Sequence, residues 1–340
     1  MTPLFLLGTF PVPGHVVELA QMAEADGWDG LGLTDSQNLA GDVFAALALA
    51  ARATSSLVVA TAATNPATRH PAVVASAMAT LQVESGGRAW LGIARGDSAL
   101  AYIGRKPMPL DAFESGLQQI RTYLHGDVVD QLGFGSRIEW LRRTDVPKVP
   151  MSVAATGPRV ISIAARVADG ITLSVGADPL RLKPAIELAR KVRSEAGLPP
   201  LRLGAYVNAV AHPDVELARN LVRGRMGVYA RFSTMSSSVM ATLPEADREV
   251  AQQLRDNYDL RAHGAAGARH EAALADDFVD RFGIVGPSEQ VAERLVELIK
   301  LGLDHIVVAG HGRNTPPDVF AESSHRFGAE VLPLVRRAVS

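Results

Sequence analysis

Short apolar, β-prone runs alternate along the chain with stretches in which apolar residues recur every three to four positions. The run 4–7 reads as a strand, and Val16, Leu19, Ala20 and Ala23 then fall at i, i+3, i+4, i+7, one face of a helix. Positions 30–34 predict a second strand, followed by an Ala/Leu-rich helix over 42–53. A third strand over 57–61 precedes a helix opening near Pro71, where the missing proline N–H lies in the first turn and leaves no bond unmade. Strand four is 90–94, and Phe113, Leu117, Ile120 and Leu124 mark the buried face of its helix. Strands five, six and seven fall at 149–155, 170–174 and 202–210, with helices over 158–167 and 178–195 between them. A helix over 288–300 leads into an eighth strand at 304–309, and a last helix covers 318–335.

Eight strands each followed by a helix place the chain in the α/β class, as a closed barrel or a doubly wound sheet. Both bury parallel strands, so strand composition does not separate them. The count of eight favours a (β/α)8 TIM barrel, and Gly8-Thr9-Phe10-Pro11 after the first strand lacks the G-x-G-x-x-G of a dinucleotide fold. We expect one domain over 1–340 with two insertions. The first, about 126–141 after strand four, reads as a hairpin in which 127–130 and 137–141 flank Gly133-Phe134-Gly135. The second, 233–281 between strands seven and eight, holds Ser233-Thr234-Met235-Ser236-Ser237-Ser238 and a Gly/Ala-rich run at 264–268, and is expected to contain helices and a mobile flap. Excursions this long are usually lids or disordered segments.

Composition narrows the chemistry. The 34 basic and 36 acidic residues nearly cancel and form no block, which speaks against a nucleic-acid or membrane-surface partner. There is no cysteine, so disulfides, thiolate catalysis and Cys-ligated metal are excluded. No stretch approaches a transmembrane span of about 18 apolar residues, and positions 1–10 lack the basic start and cleavage site of a signal peptide. The expected setting is the cytoplasm.

In a barrel, function sits on the loops that follow the strands. After strand two, Thr34-Asp35-Ser36-Gln37-Asn38 offers Asp35 as a hydrogen-bonding group for a cofactor or as a proton relay, though the same residues also make a turn and a cap. After strand three, Ala62 and Ala63 leave space for a flat ring, Asn65-Pro66 marks a turn, and Arg69 is a fork for an anion. His70 has no second ligand at useful spacing, so no metal is expected and the residue reads as packing before the helix. After strand four, Gly92 and Gly96 admit close backbone approach and Arg95 supplies charge. After strand five, Ala155-Thr156-Gly157-Pro158-Arg159 opens straight into a helix, a site for phosphate or simply an N-cap. After strand eight, Gly310-His311-Gly312-Arg313-Asn314 is either a contact to phosphate or substrate or a flexible loop.

Taken together, these stretches are more specific than any one alone. The segments 29–35, 64–71, 86–98 and 154–158, with Gly302-Leu303-Asp304-His305 before the last strand, make the chain resemble the bacterial luciferase-like superfamily. Within it, the chain is most similar to the deazaflavin-dependent branch typified by methylene-tetrahydromethanopterin reductase. The resemblance implies a barrel that binds coenzyme F420, or alternatively FMN, at the strand C-termini. It implies a bulge with a non-proline cis peptide at Ala62–Ala63, against which the ring would rest. It places the phosphate near Gly96, Asp97 (through its amide), Ser98, Thr156 and Gly157, counts Asn65, Arg95, Ala155 and Pro158 among the cofactor-binding residues, and puts Asp35 near the ring as the catalytic candidate. Ser36 stands where the branch often has a histidine. The implied activity is F420-dependent hydride transfer involving a small-molecule substrate, in a homodimer. The alternatives are an FMN-dependent monooxygenase using oxygen and a non-catalytic flavin-binding barrel.

Overall fold

In the computed structural model, which describes residues 2–235, 237–241 and 243–339, eight parallel strands close into a barrel. They are β1 (Leu4–Thr9), β2 (Gly30–Leu33), β3 (Val58–Thr61), β4 (Ala89–Ile93), β5 (Met151–Ala155), β6 (Gly170–Leu173), β7 (Arg202–Val207) and β8 (His305–Val308). Each pairs with its neighbours in sequence, and β1 closes on β8 through Leu4↔His305 to Leu7↔Val308. The alternation of a pleated strand decides the two layers. Phe5, Leu7, Leu31, Leu33, Val59, Leu91 and Ile93 point outward and are buried under the helices. Leu6, Ala60, Trp90, Tyr206 and Val307 point into the bore.

The bore also carries a polar chain. Ser152 and Thr172 share a hydrogen bond of 2.9 Å, and Thr172 Oγ1 lies 2.9 Å from His305 Nε2. The His305 ring meets Trp90 edge-on at 4.7 Å. Burial pushes His305 down to about 3, so the ring is neutral. Its space comes from Gly204, where a Cβ would lie 2.2 Å from the imidazole.

Four expectations need correction. The strand expected over 202–210 leaves the barrel at Asn208, whose side-chain amide donates to Ala309 O at 2.7 Å. Beyond it, Ala209–Ala211 pairs in parallel with Ile284–Gly286 outside the barrel. The hairpin after β4 is real, but its strands are Val129–Gln131 and Phe134–Ser136. Phe134 and Gly135 therefore belong to a strand, and the turn is Leu132-Gly133, both at positive φ, the mirror-image turn that suits strand twist. Residues expected in the second arm instead form a 3-10 turn, Glu139–Arg143. The final helix runs on to Val339, with a π-helical turn at Phe327–Val331 inside it.

The long excursion is helical. A helix at Val215–Phe232 lies ahead of it, and Ser237–Met240, Glu245–Asn257 and Asp276–Phe282 follow. Ser236 of the serine-rich run and Thr242 lie outside the described residues. Around its base, Arg181 Nη1 sits 3.6 Å from Asp247 Oδ2, Arg281 Nη2 reaches Asp247 Oδ1 at 3.2 Å, and the Arg181 guanidinium covers Phe282 at 5.0 Å. Among the described residues, no helix is long and apolar enough to cross a membrane.

Candidate active site

The site begins with a defect in pairing. β3 and β4 pair at Val59↔Ala89 and Ala60↔Trp90, and the next bridge is Thr64↔Ile93. Residues 61–63 thus face only residues 91–92, which is a bulge of one residue. Thr61 Oγ1 secures it, donating to Gly92 O at 2.7 Å and accepting from Gly92 N at 3.0 Å. Gly92 is required there, because a Cβ would stand 2.1 Å from Thr61 O. The Ala62–Ala63 peptide bond is cis, and both alanines face a cavity of about 430 Å³ at the C-terminal ends of the strands.

On one side of these alanines stands Asp35. Its Oδ2 accepts from Thr64 Oγ1 and from Arg69 Nη1, both at 2.6 Å. Its Oδ1 is buried without a partner among the described residues. Arg69 turns its other nitrogen to Asp42 at 2.7 Å, and Asp42 also caps the helix Val43–Ala53 by accepting from Phe44 N and Ala45 N. Arg69 is therefore engaged by two carboxylates and is not the open fork for an anion that its sequence position suggests. His70 is not packed either: exposed, it caps its helix by accepting from Ala72 N at 3.2 Å.

On the other side is a positive rim. Arg95, Lys106 and Arg159 line it. Burial and the neighbouring Arg159 both hold the Arg95 guanidinium below its usual range. Gly157 precedes the helix Pro158–Val167 with no side-chain cap, so its first amides are free for a ligand. Ser98 Oγ and Ser36 Oγ are 2.9 Å apart. Asp97 pairs with Arg231; burial pushes its carboxyl up, and Arg231 opposes that shift.

Of the residues singled out in the sequence, Asp35, Ala62, Ala63, Asn65, Arg95, Gly96, Asp97, Ser98, Thr156, Gly157 and Pro158 all line this cavity. Ala155 does not. Strand alternation turns Ala154 inward and buries Ala155 against the helix layer. The loop after β8 does not line it either. Asn314 Oδ1 accepts from Ala266 N at 2.6 Å and Arg313 Nε donates to His263 O at 3.4 Å, so this loop ties down the excursion. Among the described residues, no group of histidines and carboxylates is placed to hold a metal ion.

The sequence reading missed the opposite wall, made of Phe10, Tyr206, Arg225, Tyr229, Phe232 and His263. Val222, Met226 and Tyr229 form an apolar i, i+4, i+7 stripe, and Arg225 sits inside it between Gly224 and Gly227. A charge in the middle of a buried stripe was the available signal. Burial holds the Tyr206 and Tyr229 hydroxyls above their usual range and pushes His263 down to about 3. Tyr258 Oη lies 2.8 Å from His263 Nδ1.

Known proteins resemble this chain over nearly its whole length. A 5,10-methylenetetrahydromethanopterin reductase of Methanolobus tindarius is 28% identical over 86% of this chain and 89% of its own length. An F420-dependent glucose-6-phosphate dehydrogenase of Mycolicibacterium fortuitum is 26% identical over 91% of this chain and 92% of its own. The solved coenzyme F420-dependent tetrahydromethanopterin reductase of Methanopyrus kandleri shares the fold, with a TM-score of 0.75, 23% identity, and coverage of 98% of this chain and 99% of that one. The luciferase-like monooxygenase family pattern matches residues 5–305, and the chain belongs to that family.

Proposed function

We propose that this protein is an oxidoreductase that binds coenzyme F420 in the cavity and transfers hydride between it and a small organic substrate. The observation that carries the reading is the bulged Ala62–Ala63 platform set between an unpartnered acceptor and a positive rim. Small side chains suit a flat ring, and Asp35 Oδ1 awaits a donor. Arg95 and Arg159 have no carboxylate partner among the described residues and suit a phosphate. The F420-dependent glucose-6-phosphate dehydrogenase and the solved F420-dependent reductase support the same cofactor, and the relatives differ in substrate, one reducing a pterin and one oxidising a sugar phosphate by their names. When bound, F420 supplies a carbon centre that gives or accepts hydride.

The chain's own residues do the rest. The Asp35 carboxylate is 1% exposed and fixed through Oδ2, so its part is to hold a hydrogen bond from the bound ring through Oδ1, not to relay protons to bulk water. Val228, Phe232, Met235 and Val239 wall the opening and keep water from the reacting faces. Val239 lies over Gly157, where a Cβ would come within 2.6 Å of it, so a helix of the excursion covers the phosphate end. The reading also takes the protein to be a homodimer of the cytoplasm, which sedimentation and cell fractionation check; the lack of cysteine suits a reducing compartment.

Fluorescence-quenching titrations with F420 and with FMN test the proposal. Binding of F420 in preference to FMN, with turnover on a panel of alcohols, aldehydes and unsaturated carbonyls, is expected. Tight FMN with no F420 would favour the monooxygenase reading, and F420 binding without turnover a non-catalytic barrel. Binding of neither would remove the cofactor from the site.

A further inference from the structure

Arg225 is 4% exposed and lies in the wall of the cavity. Its Nη2 donates to Thr34 Oγ1 at 3.0 Å and its guanidinium also hydrogen-bonds the Tyr229 hydroxyl, while its Nε is buried with no partner among the described residues. Its guanidinium lies over Phe10 at 4.1 Å and near Tyr229 at 5.6 Å. No carboxylate reaches it among the described residues. The two acids at the cavity are committed elsewhere, Asp35 to Arg69 and Thr64, Asp97 to Arg231. The other groups near it are Tyr206, Tyr229, Tyr258 and His263, all neutral, and Arg231, another cation.

A buried cation without a counter-charge is costly, and such groups mark a place where a ligand completes the pairing. The cofactor's phosphate does not supply it under the reading above. The positive rim belongs to the loops after β4 and β5, whereas Arg225 packs beside Phe10 after β1 and Thr34 after β2. A single guanidinium offers one planar fork, which matches a carboxylate; a dianionic phosphate would call for more donors. The rest of this wall is Phe10, Tyr206, Val228, Tyr229 and Phe232, an apolar bed.

We infer that the substrate is an organic carboxylate with an apolar body, and that Arg225 is the residue that selects it. This rests on the cavity being the F420 site, and the experiment separates the two. F420 affinity is measured first for the wild type and for Arg225→Gln. Benzoate and 3-phenylpropanoate are then titrated into the F420-saturated protein by calorimetry, alongside benzamide and 3-phenylpropanamide.

The carboxylates are expected to bind at least tenfold more tightly than the amides. Arg225→Gln should abolish that preference, Arg225→Lys should restore part of it, and F420 affinity should stay within threefold throughout. The ligand-free Arg225→Gln protein should melt no lower than the wild type, because it loses an uncompensated buried charge; a residue serving only packing would lower the melting temperature. Equal or absent carboxylate binding in the wild type, or a preference that survives in Arg225→Gln, overturns the inference. So does a tenfold loss of F420 affinity in that variant, which would assign Arg225 to the cofactor. If the wild type binds no F420, the cofactor reading fails, and the same titrations on the ligand-free protein still decide the role of Arg225.

Discussion

At the scale of single residues, Asp35 and Arg159 carry opposite kinds of consequence. Asp35 accepts two short bonds on one oxygen and leaves the other buried and unmatched. Asp35→Asn keeps the size but removes the charge from Arg69, which retains only Asp42. We expect it to cost about 1.5–3 kcal/mol in urea unfolding, the range for a hydrogen bond to a charged group, and to weaken F420 binding at least tenfold. Unchanged F420 affinity would show that the ring does not use Oδ1. Arg159 is exposed and lines the rim, so Arg159→Gln should leave the melting temperature unmoved. Its F420 dissociation constant should rise about tenfold, or about 1.4 kcal/mol, and depend less steeply on salt. A salt dependence identical to the wild type would place the phosphate elsewhere.

At the scale of elements, the excursion is fastened to the helix Val215–Phe232 by close backbone approach. A Cβ at Gly224 would lie 2.7–2.9 Å from the backbone of Ala265 and Ala266. Gly224→Ala is therefore expected to cost about 1–3 kcal/mol and to expose the 258–275 segment to limited proteolysis before the barrel is cut. Simultaneous cleavage of both would mean that the segment does not open on its own. The same contrast explains what could be read from the residues alone. The barrel strands were legible because fully buried parallel strands are continuous apolar runs, and β1 to β6 stand within a residue or two of where those runs lie. The strand exits were legible because small and polar residues interrupt the runs abruptly. The direction of Ala155, the occupancy of Arg69 and the role of Asn314 were not, since each depends on partners 27 to 48 positions away or on which face a strand turns inward. The wall around Arg225 lies ahead of the insertion, in residues 211–232, to which the sequence pattern assigned no element, and a charge inside an apolar stripe there looks like an error of pattern until the cavity is seen.

At the scale of the whole molecule, several histidines are held neutral by burial. His263 and His305 are pushed down to about 3 and His311 to about 4. In the unfolded chain each would protonate near 6.5. The unfolded state thus binds more protons below that pH, and stability falls as pH drops from 6.5 toward 4, by up to about 1.4 kcal/mol per pH unit for each histidine. The melting temperature should be level from pH 7 to 8 and decline steadily between 6.5 and 5.5, above the range in which ordinary carboxylates titrate; no decline there would mean that these rings accept protons in the fold. His305 belongs also to the plug of the barrel, with Trp90 in edge contact with its ring and Thr172 and Ser152 in line behind it. That plug makes the cavity a vessel with a sealed bottom. Under the proposed function, a plugged bottom leaves the rim as the way in and out, so a ring lying against Ala62 and Ala63 would have to enter before a substrate stacked on it and leave after it.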